Sequence, residues 1–71
     1  MPDMQYVDSS NIAACGYDAD QQELHVEFIA SGVYVYRGVP SYVFEELMAS
    51  PSKGSYFNRH IKPVFTDFTR L

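Results

Sequence analysis

Tryptophan is absent from this 71-residue chain, and cysteine occurs once, at Cys15. One cysteine excludes an intramolecular disulfide and any zinc cluster resting on thiolates, and it suits a reducing, cytoplasmic setting. No apolar run approaches membrane-spanning length, and no basic segment precedes an apolar one, so neither a membrane anchor nor a signal peptide is expected. The first 36 residues contain no lysine or arginine, only six acids: Asp3, Asp8, Asp18, Asp20, Glu23 and Glu27. A net charge of −4 argues against loose, non-specific attachment to nucleic acid.

What is present is unevenly placed. All five basic residues (Arg37, Lys53, Arg59, Lys62 and Arg70) lie in the second half, against Glu45, Glu46 and Asp67. The chain is therefore acidic at one end and mildly basic at the other. Hydrophobic residues make up 46%, enough for a packed core in a single small domain. A chain this short buries only about 60% of its unfolded surface. With six tyrosines and five phenylalanines to place, some of Tyr6, Tyr17, Tyr42, Tyr56 and Phe68 are expected at the surface.

Residues 1–7 read as a flexible lead-in, residues 8–66 as the domain and residues 67–71 as a tail. A first strand over Ile12–Tyr17 has weak propensity and is assigned from context. Asp18-Ala19-Asp20-Gln21 supplies turn chemistry. Leu24, Val26 and Phe28 then alternate with polar residues along a second strand. Val33-Tyr34-Val35-Tyr36 forms a third, and the loop before it decides what the sheet presents. A two-residue Ser31-Gly32 loop sets Phe28 opposite Val35. A three-residue loop with Gly32 left-handed sets Phe28 opposite Tyr34 and Val26 opposite Tyr36, and gathers both tyrosines on the apolar face. The second arrangement is preferred.

Pro40 ends the strand, and Ser41 is expected to cap a helix bearing Val43, Phe44, Leu47 and Met48 on one face. After Pro51, Ser52-Lys53-Gly54-Ser55 reads as a turn and cap for a second helix over Tyr56–Lys62, whose apolar residues are Phe57 and Ile61. Pro63 stops it. The expected fold is α+β: a three-stranded antiparallel β-meander followed by two short helices packed on one face.

Three blocks then carry a resemblance. Val7-Asp8-Ser9-Ser10-Asn11-Ile12 with Gly16-Tyr17-Asp18 and Leu24-x-Val26-x-Phe28 resembles the first half of a KTSC domain. Tyr34-x-Tyr36-x-x-Val39-Pro40 is similar to that family's central tyrosine motif, and Ser52-Lys53-Gly54-x-Tyr56-Phe57-Asn58-x-x-Ile61-Lys62 to its C-terminal block. The resemblance runs from about Val7 to Phe65. The family is named for a C-terminal extension of some lysyl-tRNA synthetases and includes free-standing bacterial proteins. It implies the fold above and suggests RNA binding. It brings no catalytic residue and no cofactor.

The candidate nucleic-acid or phosphate contacts are Arg37, Lys53, Gly54, Arg59, His60 and Lys62, with Tyr34, Tyr36 and Tyr56 as candidate aromatic contacts. Basic groups and free N–H groups around a turn can hold phosphate, and aromatic faces can stack on unpaired bases. Against this stand a solvated basic helix face and tyrosines buried in the core. Asn58 is expected to hold a neighbouring loop. Cys15 with His25 or His60 lacks an orienting third group, and two histidines with scattered acids lack ligand spacing, so neither catalysis nor a metal site is expected. Two partner classes stay open: RNA, and a protein partner or second copy using exposed aromatics and a strand edge.

Overall fold

Alternation from Glu23 to Phe28 builds the middle strand of an antiparallel sheet. A computed structural model, describing residues 2–71, orders the chain as β1 (Gln5–Tyr6), β2 (Ile12–Asp18), β3 (Glu23–Phe28), β4 (Gly32–Tyr36), α1 (Ser41–Ala49), α2 (Lys53–Tyr56) running into a π-helical turn (Phe57–Ile61), and β5 (Phe68–Arg70). Met1, part of the expected lead-in, lies outside the described residues. The sheet has five strands in sequence order rather than the three expected. The additional strands come from the lead-in and the tail. Gln5 and Tyr6 pair with Cys15 and Ala14, and Phe68, Thr69 and Arg70 pair with Tyr36, Val35 and Tyr34. Two or three residues are too few to show a period of their own, so these strands are defined by the open edges they complete.

The β3–β4 hairpin has Ile29, Ala30 and Ser31 between the paired residues Phe28 and Gly32, and Gly32 is left-handed at φ +88°. Val26 pairs with Tyr34 and Leu24 with Tyr36, two residues off the expected register. A two-residue displacement preserves side-chain parity. Tyr34 and Tyr36 therefore share the face of Leu24, Val26 and Phe28, as preferred above.

On β2 the register shifts between Ile12, opposite Phe28, and Ala14, opposite Glu27. This bulge brings Ile12 and Cys15, three residues apart, onto the same buried face. Tyr17 follows them, stacking on Phe44 of α1 at 5.4 Å and donating its hydroxyl proton to the Val39 carbonyl.

The helices close this face. Val43 and Leu47 of α1 and Phe57 and Ile61 of the second helix are buried against Ile12, Leu24, Val26 and Tyr36. Glu45 and Glu46 face solvent. Ser41 does not cap α1. The boundary residue is Pro40, in extended conformation, whose carbonyl accepts from the Val43 N–H at 3.1 Å. The second helix also begins earlier than expected, at Lys53, so Lys53, Gly54 and Ser55 of the predicted turn are already helical. It ends in a widened turn, with the Lys62 N–H donating to the Phe57 carbonyl at 2.9 Å. Among the described residues no helix is long and apolar enough to cross a membrane.

Candidate functional site

The Ser9-Ser10-Asn11 loop leads into β2 directly beside the start of α2. Ser9 organises it: its Oγ accepts from the N–H groups of Asn11 (3.4 Å) and Ile12 (3.3 Å) and donates to Asn11 Oδ1 at 3.1 Å. Between this loop and Ser52–Ser55 lies a polar cavity of about 360 Å³, reaching Asn58 on the π-helical turn. Lys53 borders it, half-buried, with its Nζ donating to the Ser50 carbonyl at 3.0 Å. Asp8 stands on the opposite rim.

A second cavity of about 350 Å³ adjoins the first and shares Asn11 and Asn58 with it. Its walls are aromatic. Phe28 meets Tyr34 edge-on at 5.4 Å and Phe57 at 5.2 Å, Tyr36 meets Phe57 edge-on at 5.3 Å, and Phe68 of β5 stacks on Tyr36 at 5.2 Å. Lys62, exposed, stands at its margin. A polar pocket bordered by one lysine thus runs into an aromatic groove bordered by another.

The fold gathers five of the candidate residues here: Lys53 and Gly54 at the pocket, Tyr34, Tyr36 and Lys62 at the groove. Tyr36 is mostly buried and serves as floor, whereas Tyr34 is half-exposed. Arg59 and His60 are exposed on the helix and line neither cavity. Tyr56 is turned away, donating its hydroxyl proton to Glu46 Oε1 at 2.7 Å. Its hydroxyl is pushed up to about 12 by burial and by that carboxylate. Arg37 belongs to another surface. It follows inward-facing Tyr36 and so points to the far side of the sheet, where it pairs with Glu23 at 3.7 Å and Asp67 at 3.4 Å.

Sequence reasoning overlooked Ser9, Asn11, Phe28, Phe57 and Phe68 as site residues. Ser9 and Asn11 did stand in the first of the three resemblance blocks, which was their signal. Phe68 had none, since its place depends on β5 pairing with β4. Asn58 does not hold a loop: it is exposed and makes no side-chain hydrogen bond among the described residues.

Cys15 faces the core opposite Val26, and His25 points to the far side opposite Gly16, so the sheet separates them. Burial pushes the Cys15 thiol up to about 11 despite the nearby Lys53 ammonium, keeping it protonated. Among the described residues no three His, Cys, Asp or Glu side chains come together as a metal site. A third cavity, near Asp3, Asp18 and Asp20, is acidic and shares no residue with the other two.

A family model described as "KTSC domain" matches residues 8–65. The chain belongs to the KTSC domain family. A crystal structure of a KTSC domain protein from Yersinia pestis superposes with a TM-score of 0.95 at 35% identity, covering 100% of this chain and 99% of that one. A protein of Tsukamurella paurometabola is 44% identical over 62 residues, 87% of this chain and 92% of the relative. A lysine–tRNA ligase of Nostoc sp. is 43% identical over 58 residues, which are 82% of this KTSC chain but only 10% of the ligase. The same domain therefore occurs both as nearly a whole protein and as a small part of a synthetase. The residues lining the two cavities fall almost entirely within the matched span; Phe68 lies beyond it.

Proposed function

We propose that this KTSC domain is a non-enzymatic cytoplasmic binding module for unpaired RNA, using the face formed by the polar pocket and the aromatic groove. The observation that carries the reading is their continuity: a lysine-bordered polar cavity opens beside aromatic rings. Unpaired RNA presents that combination, a phosphate next to a stackable base. The matching segment in a lysine–tRNA ligase supports the reading, because that enzyme handles RNA. The acidic cavity shares no residue with this face, whose two cavities are lined by one acid, Asp8, against Lys53 and Lys62.

Titration of the labelled protein with short single-stranded RNA is expected to shift amide resonances along residues 53–62 and around Asn11. Binding should weaken as salt rises, with a logarithmic slope of about −0.7 for each phosphate engaged. Lys62→Ala, which removes an exposed cation without breaking an internal hydrogen bond, is expected to weaken binding and to reduce that slope by about one contact. Unchanged spectra at low salt would sink the proposal.

A second reading, self-association or docking to another protein, is favoured by Tyr6, 87% exposed on the edge strand β1. It predicts a mass that rises with concentration and is restored to the monomer value by Tyr6→Ser. A constant monomer mass up to millimolar concentration would remove the self-association form of it.

A further inference from the structure

Gly54 is not explained by its backbone. It lies in the first turn of α2, and the glycines with positive φ are Gly32 and Gly38. Alanine is the better helix former at such a position. What an alanine there would displace is Asn11: a Cβ on Gly54 would stand 2.6 Å from Asn11 Oδ1, the end of an exposed side chain. The glycine makes room for one side chain of the Ser9–Asn11 loop. Ser9 holds the same Oδ1 with its hydroxyl. Two residues from separate elements thus set the position of a single exposed carboxamide, and its Nδ2 donors are left without a partner among the described residues. Asn58, also without a side-chain partner, lies along the boundary that Asn11 lines, between the polar pocket and the aromatic groove.

We infer that the two cavities form a single nucleotide site, in which an unpaired base enters the aromatic groove, its phosphate lies in the pocket beside Lys53, and the Asn11 and Asn58 carboxamides read the base edge between them. This rests on the RNA reading above and adds base discrimination to it. Each cavity falls within the range of small-ligand sites, about 300–1,000 Å³. Carboxamides offer donors and an acceptor to base edges, which a lysine cannot do. Lys53 and Lys62 contribute charge that every nucleotide satisfies equally, so discrimination falls to the amides. Gly54 and Ser9 are positioning residues: they act through Asn11.

The test is fluorescence anisotropy with four labelled RNA homohexamers, one for each base, at two salt concentrations. The unaltered protein is expected to prefer one base over the weakest by at least about fivefold, the lower end of what a bidentate amide–base contact gives. Asn11→Ala and Asn58→Ala should flatten that preference while leaving the salt dependence in place. Gly54→Ala should flatten it as well, by displacing the Asn11 amide, with a melting temperature equal to or above that of the parent. Equal affinity for all four oligomers, still salt-dependent, would overturn base reading and leave RNA binding standing. A preference that survives both asparagine substitutions would also overturn it. Absence of binding to any oligomer would remove both readings.

Discussion

Phe57→Ala is expected to destabilise the domain by about 3–5 kcal/mol, the usual cost of emptying a buried phenylalanine site. Phe57 is 3% exposed and joins the two halves of the aromatic cluster, meeting Phe28 at 5.2 Å and Tyr36 at 5.3 Å. It also ties the second helix to the sheet, since its neighbours in the cluster belong to β3 and β4. The rings on either side are held from behind, Phe28 by Tyr34 and Tyr36 by Phe68, which resists closure of the cavity. At roughly 0.05–0.15 kcal/mol per residue, a 71-residue domain has about 4–11 kcal/mol of total stability, so the loss is a large part of the whole. Chemical denaturation should show the urea midpoint falling steeply, with the melting temperature down by more than about 10 °C. Phe57→Leu, which retains most of the apolar volume, should lose less than half as much. A loss under about 1 kcal/mol in the alanine variant would mean that the cluster does not hold helix to sheet.

Substitution of His25 should act in the other direction. The side chain is buried on the far face of β3, at 6% residual exposure, and neither ring nitrogen has a hydrogen-bond partner among the described residues. Its neighbours across the strands are Gly16 and Val35. A Cβ on Gly16 would stand 2.7 Å from Met4 Sδ, so the lead-in lies over this row. Glu23 is the nearest acid, with Oε1 3.8 Å from His25 Nε2, beyond hydrogen-bond reach. Burial lowers the imidazole below its ordinary value of 6.5, and Glu23 and Asp18 counteract this only in part.

The sign of the pH dependence follows. The folded state resists protonation at His25 while the unfolded chain accepts it freely. This contribution to stability is complete above about pH 6.5 and declines as the pH falls toward the lowered folded value. His25→Leu removes the unpaired polar atoms and is expected to raise stability by about 1–2 kcal/mol near neutral pH. The gap between variant and parent should widen as the pH falls from about 6.5 to 5. Urea midpoints for both proteins across that interval decide the matter. Parallel pH profiles would show that His25 does not titrate differently in the two states.

The parts of this fold that could be read in the chain are those written within single elements. Leu24, Val26 and Phe28 alternate, and Val43 with Leu47 and Phe57 with Ile61 recur at helical spacing, so each element declares its buried face without reference to the others. Side-chain parity in the β3–β4 hairpin was legible for the same reason, because only one face gathers the apolar residues. The pairing offset was not, since it depends on how Ile29–Ser31 turn and where Gly32 adopts its left-handed conformation. The terminal strands were not legible either: Gln5–Tyr6 and Phe68–Arg70 are exposed, and only the open edges of β2 and β4 make them strands.

The candidate site divides along the same line. Lys53, Lys62 and Tyr34 could be named from residue type and local pattern. That Arg37 leaves the group for Glu23 and Asp67, that Tyr56 is committed to Glu46, and that Asn11 reaches Gly54 could not. The chain by itself determined the periodicities, the acidic and basic halves and the family to which the domain belongs. Tertiary structure alone decided which polar side chains are engaged and which stay free. Hydrogen bonds and ion pairs between distant segments depend on ångström-scale approach, and no spacing along the chain encodes that approach.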